Sequence, residues 1–266
     1  MNVKSQISLI VVNYRSAEYF ANALKSLLAC EKKTDFFEVI VVNNDVSENE
    51  ALVNLQKTFP FQLVENGGNI GFGRGNNLGA KQARGKILGF VNPDIIWIDE
   101  CLEKIASAFN FDKKLGVLGM ALLDKNKKPE AWSFGKEPGL FNLFYNNIFP
   151  TRKNYENKGI SSQDWVSGGA LFIRADLFSA IGGFDEQFFL YFEDVDLCAE
   201  ARKRGFSVKR DASLPLVHLG GKSHLSTRDQ KKYFLESQKK YFAKHRPKWE
   251  SKVLAYLQFC LCWKHL

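Results

Sequence analysis

Ile7-Ser-Leu-Ile-Val-Val-Asn-Tyr14, followed after one helix by Glu38-Val-Ile-Val-Val-Asn-Asn-Asp45, is the stretch that decides the fold. Each is a short unbroken apolar run that ends abruptly in amides, as expected of a strand buried on both faces. Between them Ala17–Leu28 carries Phe20, Leu24, Leu27 and Leu28 at three- and four-residue spacing, the period of a helix resting one face on a sheet. The alternation then repeats. Ser47-Glu-Asn-Glu50 reads as a capping box opening a helix to about Thr58, and Phe61–Val64 as a short strand. A Gly/Asn-rich loop leads to a helix near Asn76–Ala83, then a strand at Lys86–Val91, a helix at Asp99–Phe109 and a strand at Leu115–Leu123. Such a series predicts an α/β fold, a Rossmann-like, mostly parallel sheet flanked by helices, with right-handed crossovers.

Ligands of such sheets bind beyond the carboxyl ends of the strands. The residues found there are Asn13-Tyr14, Asn43-Asn44-Asp45, Glu65-Asn66 and Asn92-Pro93-Asp94. Asn/Asp-rich exits are ordinary turns when taken singly. Four polar exits on one edge predict a cleft.

Beyond residue 123 the pattern changes. Residues 124–160 form an irregular insertion with Trp132, Phe134, Phe141, Phe144, Tyr145 and Phe149 read as exposed, either an acceptor loop or a small packing layer. Trp165–Ile173 resumes strand character, Ala175–Ile181 is a short helix stopped by Gly182-Gly183, and Glu193–Arg204 is a helix closed by Gly205. Short strands are expected near Ser207–Lys209 and Leu216–Leu219.

The five cysteines are scattered and unpaired by any CxxC spacing, which predicts a reducing, cytoplasmic setting. No segment combines a basic stretch with a long apolar one, and none reaches the length of a membrane span, so neither a signal peptide nor a transmembrane helix is expected. Charge is the informative total. From residue 222 onward eleven Lys/Arg face three acids, which accounts for the whole net charge of +8 and leaves residues 1–221 neutral. The chain is therefore divided into a body, residues 1–226, and a basic helical extension, residues 227–266.

Three motifs carry chemistry. Phe188-Phe-Leu-Tyr-Phe-Glu-Asp-Val-Asp-Leu-Cys198 runs an aromatic wall into Glu193, Asp194 and Asp196 at the start of a helix. A helix N-terminus favours an anion and a wall excludes water, so a carboxylate there can act as a general base; an N-cap with surface acids is the plainer reading. Asn92-Pro93-Asp94 ends a buried strand, and proline fixes two oxygen-bearing side chains so that they can address one hard cation, or simply make a turn. Asn69-Ile-Gly-Phe-Gly-Arg-Gly-Asn-Asn-Leu-Gly79 lacks the spacing and position of a dinucleotide fingerprint, which disfavours an oxidoreductase. Its backbone can still approach a phosphate, with Arg74 as the cation, or serve as a flexible turn. His218, followed by Gly220-Gly221, gains meaning only if Asp94 lies beside it.

In order along the chain, the ends of the first two strands, Asn69–Gly79, Asn92-Pro93-Asp94, Trp165-Val-Ser-Gly-Gly-Ala170, Gly182-Gly-Phe-Asp-Glu186, Phe188–Cys198 and His218–Ser223 resemble the inverting family 2 glycosyltransferases of the GT-A fold. The resemblance is nearest to their bacterial rhamnosyltransferase-like branch and covers roughly residues 5–245. It implies that Asn13, Tyr14 and Asn43 hold the base and ribose of a nucleotide-sugar, with Gly71, Gly73, Arg74, Asn77 and Asn92 on the nucleotide side. It implies that Asp94, with His218, holds Mg²⁺ or Mn²⁺. Asp194 matches the catalytic base with Glu193 orienting it, and Trp165, Ser167, Gly168 and Gly169 line the sugar and acceptor. Asn92 stands where the family's metal motif has an aspartate, and Asn43 where many relatives have an aspartate against the pyrimidine. The Asn-Pro-Asp form favours a dTDP-linked donor, which implies L-rhamnose transfer to a glycan or polyprenyl-diphosphate-linked acceptor in cell-surface polysaccharide synthesis. A UDP-linked donor, and a non-catalytic nucleotide-sugar or glycan-binding module, are the alternatives.

Lysines interleaved with Tyr233, Phe234, Tyr241 and Phe242, and then with Trp249, Val253, Leu254, Tyr256, Leu257, Phe259 and Leu261, describe interfacial helices. An anionic membrane surface, at the cytoplasmic face of the inner membrane, is the expected partner. Packing on the body or a homodimer is the other use of such helices. No nucleic-acid motif accompanies the charge.

Overall fold

The computed structural model describes residues 6–130, 133–142, 159–220 and 226–263, with side chains to residue 259. Trp132, Phe144, Tyr145 and Phe149 of the insertion, and Gly221 to Ser223 and His224, lie outside the described residues. The elements are β1 (Ile7–Asn13), α1 (Ala17–Cys30), β2 (Phe37–Asn43), a 3-10 turn (Val46–Glu48), α2 (Asn49–Gln56), β3 (Gln62–Glu65), α3 (Phe72–Ala80), β4 (Ile87–Val91) and β5 (Ile95–Trp97). Then come α4 (Leu102–Phe111), β6 (Leu115–Leu123), β7 (Phe134–Gly135), β8 (Ile160–Gln163), β9 (Trp165–Val166), β10 (Ala170–Arg174), α5 (Ala175–Ile181) and α6 (Glu193–Lys203). Strand β11 (Ser207–His218) precedes α7 (Thr227–His245) and α8 (Lys248–Trp263).

The main sheet runs β3-β2-β1-β4-β10-β6-β11-β5, with β8 on the flank of β11. Its first four strands are parallel, as the βα alternation dictates. Strand β10 then inserts antiparallel between β4 and β6. The sheet is therefore mixed, because a strand from late in the chain fills the gap between two early ones. Successive side chains of β1 feed opposite faces: Leu9 and Val11 pack with Phe20 and Leu24 of α1, Ile10 with the core under α5 and α6. Both faces are closed, and truncating a core residue such as Ile10 to Ala should cost about 2–5 kcal/mol. A third cluster joins Phe188, Phe192 and Val195 to Tyr241, Phe242 and Leu254, so the basic extension packs on the body.

Several local expectations are corrected. The Ser47–Glu50 capping box does not form; Asp45 caps the 3-10 turn through Ser47 N–H, and Glu48 instead caps α1, accepting from Ser16 and Ala17 N–H at 2.8 and 3.1 Å. Helix α3 begins at Phe72, so Gly73, Gly75 and Gly79 lie within it, packed against neighbouring side chains. The apolar run at Trp165–Ile173 breaks at Ser167-Gly168-Gly169 into β9 and β10. The two strands expected near Ser207 and Leu216 are one, β11, whose pairing with β6 shifts register between Ser207 and Val208 and bulges between Asp211 and Pro215. Phe134 is buried, while Phe141 is exposed.

Candidate active site

The strand exits do converge. A cleft of about 290 Å³ is lined by Tyr14, Ser16, Asn44, Asn69, Gly71, Phe72, Asn92, Pro93, Asp94 and His218, with Phe189, Leu190 and Tyr191 as the opposite wall. Its floor is a carboxamide lattice. Asn13 donates to Asn43 Oδ1 at 3.2 Å and to Glu48 at 2.7 Å, and accepts from Ser16 Oγ at 3.0 Å. Asn43 donates onward to Glu65 at 3.2 Å. Both are buried and sit beneath the lining. Asn44, one residue on and therefore on the other side of the chain, reaches the cleft and ties Asn66 to Gly71 O.

Gly71 shapes the mouth. Its φ is +90°, and a Cβ there would stand 2.6 Å from Phe189 O, the carbonyl that accepts from Phe72 N–H at 3.0 Å. The remaining residues of the glycine segment face elsewhere. Gly73 backs onto Phe184 and Glu193, and Arg74 pairs with Glu186 at 3.4 Å. Asn77 clamps the backbone of Phe184, donating to its carbonyl and accepting from its N–H. These three lie outside the lining.

At the other end, β5 pairs with β11 so that His218 stands opposite Ile95, one residue from Asp94. His218 Nε2 lies 3.3 Å from Asp94 Oδ1 and from Asn92 Nδ2, and Nδ1 is held by both oxygens of Glu130 at 2.9 Å. Burial works against the charged imidazole, but Asp94 and Glu130 outweigh it and push its pKa up to about 10. Once Nε2 gives up its proton, one carboxylate oxygen and one ring nitrogen facing the same cleft suit a hard or borderline divalent ion that takes its other ligands from a substrate. Among the described residues no three His, Cys, Asp or Glu side chains group as a closed metal cage. A two-ligand open site fits Mg²⁺ or Mn²⁺ better than a structural metal.

The Ser167-Gly168-Gly169 turn joins this end to the acidic helix. Gly169 O accepts from Asn92 N–H at 3.0 Å, while Gly168 N–H donates to Asp194 Oδ2 at 2.8 Å. Asp194 is half-buried behind Phe72, just off the lining, beside the position a Gly168 side chain would fill. Burial raises its pKa, and bonds from the Gly168 and Val195 amides pull the other way. Glu193 is buried, with Oε2 lacking a hydrogen-bond partner. Burial first, and the Asp194 charge second, raise its pKa well above the ordinary range. Burial thus raises both carboxyls, Glu193 within the core and Asp194 beside the cleft, and only Asp194 has amide donors opposing the shift from outside its own residue. Asp196 faces away and receives Lys244 and His245 of α7. Tyr191 and Phe192, at φ +69° and +67°, occupy left-handed conformations that cost roughly 1–2 kcal/mol each. Trp165 turns its indole N–H to Lys136 O, and Ser167 bonds Gly169 N–H.

Glu130 and Asn44 were not singled out from the sequence. Glu130 comes from the irregular insertion, where no periodicity marks a functional residue. Asn44 was quoted only within a strand exit.

The α/β sheet thus carries a carboxylate–histidine pair at one end of its cleft, polar strand exits at the other, and a half-buried aspartate just off the lining. The model of Glycosyl transferase family 2 matches residues 8–178, and the chain belongs to that family. Among relatives, N-acetylglucosaminyl-diphospho-decaprenol L-rhamnosyltransferase of Mycobacterium tuberculosis is 25% identical over 246 residues, covering 84% of this chain and 78% of the relative. Rhamnosyltransferase WbbL of Escherichia coli is 24% identical over 225 residues, covering 80% and 83%. A mannosyltransferase from Pyrobaculum calidifontis, solved with GDP-Man and Mn²⁺, superposes with a TM-score of 0.63 at 17% identity over 94% of this chain and 68% of that one. The chain is a glycosyltransferase with the GT-A fold and rhamnosyltransferase-like relatives in polysaccharide synthesis.

Proposed function

We propose that this chain transfers L-rhamnose from a dTDP-linked donor, with inversion, to a hydroxyl of a lipid-linked saccharide. The observation that carries the mechanism is the Gly168–Gly169 turn, which couples Asp194 to the Asn92-Pro93-Asp94 corner through two backbone hydrogen bonds. The relatives named for rhamnosyl transfer support the donor sugar, and the one named for a decaprenol-linked substrate supports the acceptor class.

The donor's nucleotide lies along Tyr14, Asn44 and Gly71, with its diphosphate towards Asp94 and His218. A divalent cation on Asp94 and His218 would neutralise charge on the leaving diphosphate. Asp194 accepts the proton of the acceptor hydroxyl as its oxygen forms the new bond to the anomeric carbon and the bond to the diphosphate oxygen breaks. The raised pKa of Asp194 makes it a stronger base than an ordinary aspartate. Burial of Glu193 and the neighbouring Asp194 charge raise its pKa and so work against a second negative charge in the acceptor pocket. Phe189, Leu190 and Tyr191 exclude water that would otherwise take the sugar.

The acceptor's lipid calls for a membrane surface. Helix α8 docks through Glu250, Leu254 and Gln258, and turns Trp249, Val253 and Leu257 outward, with Lys248 and Lys252 beside them. An apolar face ringed by lysines fits an anionic bilayer on the cytoplasmic side. Among the described residues no helix is long and apolar enough to cross one.

A thermal-shift screen with Mn²⁺ tests the donor: dTDP-rhamnose should raise Tm more than UDP-linked sugars, since stabilisation follows affinity. A larger shift with a UDP-sugar would reassign the donor. Retention on phosphatidylglycerol vesicles at low salt tests the surface; failure to be retained would remove it.

A further inference from the structure

The wall from Phe188 to Phe192 is held by the basic extension as well as by the glycine segment of the body. Ser237 Oγ donates to Leu190 O at 2.8 Å, and Lys240 Nζ to Gln187 O at 2.6 Å. Above these bonds, Tyr233 lies 4.8 Å from the ring of Phe189 and Phe234 lies 5.3 Å from that of Phe192. At the end of α7, Lys244 bridges Asp185 at 2.7 Å and Asp196 at 2.8 Å, and His245 Nε2 meets Asp196 at 2.6 Å. Asp185 and Asp196 bracket the wall and the Glu193-Asp194 pair, so α7 grips this segment at both ends and in the middle. The His245 side chain and the Asp196 carboxylate are almost wholly buried.

Two features say what the grip does. Tyr191 and Phe192 are consecutive non-glycine residues in left-handed conformations, and such a pair persists only where its surroundings hold it. Phe192 is also the residue at the N-cap of α6, so its backbone sets where Glu193 and Asp194 begin. Releasing the wall would let it relax towards extended backbone, and Asp194 would lose its fixed distance from the cleft.

We propose that α7 is a working part of the acceptor side: Ser237, Lys244 and His245 are positioning residues that hold Phe188–Phe192 in its strained shape and so set Asp194 against the acceptor. The assignment rests on the reading of Asp194 as the base and of the aromatic wall as the acceptor side. It gives the basic extension a role in the cleft that is separate from any surface on α8.

The test compares Lys244→Met and His245→Leu with Lys244→Arg and His245→Gln, which retain a donor, in the full chain. Hydrogen exchange of peptides spanning 185–196 should speed at least tenfold in the first two and stay near the parent in the second two, with strands β1 and β4 unmoved. With prenyl-diphosphate-linked N-acetylglucosamine as the acceptor probe, the first pair should raise acceptor KM at least fivefold while donor KM stays within twofold. The conservative pair should restore it. Ser237→Ala, which removes one buried bond and no charge, should give the same pattern more weakly. Unchanged exchange over 185–196, or acceptor and donor KM rising together, would overturn the proposal. If the parent chain does not use the probe at all, the acceptor reading fails, and the exchange measurement still decides whether α7 holds the wall.

Discussion

On the β1–β4 side of the cleft, side-chain amides fix the geometry. Asn13, Asn43, Asn44 and Glu48 brace one another and the start of α1, and the backbone of β1 and β2 is regular. On the β10–α6 side the backbone itself is bent, with two left-handed residues and a glycine turn, and its bracing comes from a helix near the end of the chain. The bracing bonds of the first side join residues up to 35 apart in the chain. Those of the second reach 59. A nucleotide needs a stiff, repeatable cradle, whereas the base must sit at one place relative to a second substrate. The first side has one left-handed non-glycine residue, Arg15, and the second has a consecutive pair.

The sharpest way to break this contrast is at Asp194. Asp194→Asn keeps the Gly168 hydrogen bond's acceptor but cannot take a proton, so transfer should fall by about 10²–10⁴-fold. Binding of the nucleotide, read by calorimetry, should stay near the parent value because the other side of the cleft is untouched. Comparable loss of binding would mean that the two sides are one unit. Next in size is Glu130→Gln, which leaves Asp94 and His218 in place but removes the charge that fixes the imidazole. Mn²⁺ affinity, followed by the paramagnetic resonance of the free ion, should drop roughly 10–100-fold, as for other partners of metal-ligating histidines. No change would detach Glu130 from the metal end.

Smaller effects separate the two carboxylates of the pair. Asp194 must be ionised to act, and burial raises its pKa, so kcat should fall as pH drops through a value above that of an ordinary aspartate. An acid limb at the ordinary position would show that the site is wetter than its geometry indicates. Glu193 has its folded pKa raised above the unfolded one, so it favours the fold below the unfolded value and loses that contribution as pH rises. Glu193→Gln, neutral at every pH, should therefore raise Tm at neutral pH, have little effect below about pH 4, where both carboxyls are protonated, and leave transfer near the parent rate. A collapse in transfer would make Glu193 a reacting group.

The same contrast explains what could be read in advance. Strands β1, β2, β4 and β6 are continuous apolar runs, and their polar exits pointed to the cleft because burial writes itself into composition. The Asp94–His218 meeting was foreseen only as a condition, since it depends on β5 pairing with the far end of β11. Insertion of β10 into the sheet left no mark in periodicity, as an antiparallel and a parallel buried strand look alike. Glu130 lay in a stretch without a repeat. The contacts of α7 were hidden for another reason: lysines with aromatics read as a surface helix, and nothing local says that Ser237, Lys244 and His245 meet acceptors on the 185–192 loop and on α6.

A single displacement with Asp194 as base forces the anomeric configuration to change. Proton NMR of the product from a donor of defined anomeric configuration, recorded before any equilibration, reads this directly. The inverted anomer is expected with the parent chain, formed about 10²–10⁴-fold more slowly with Asp194→Asn. A product that retains the donor's configuration would contradict a single displacement.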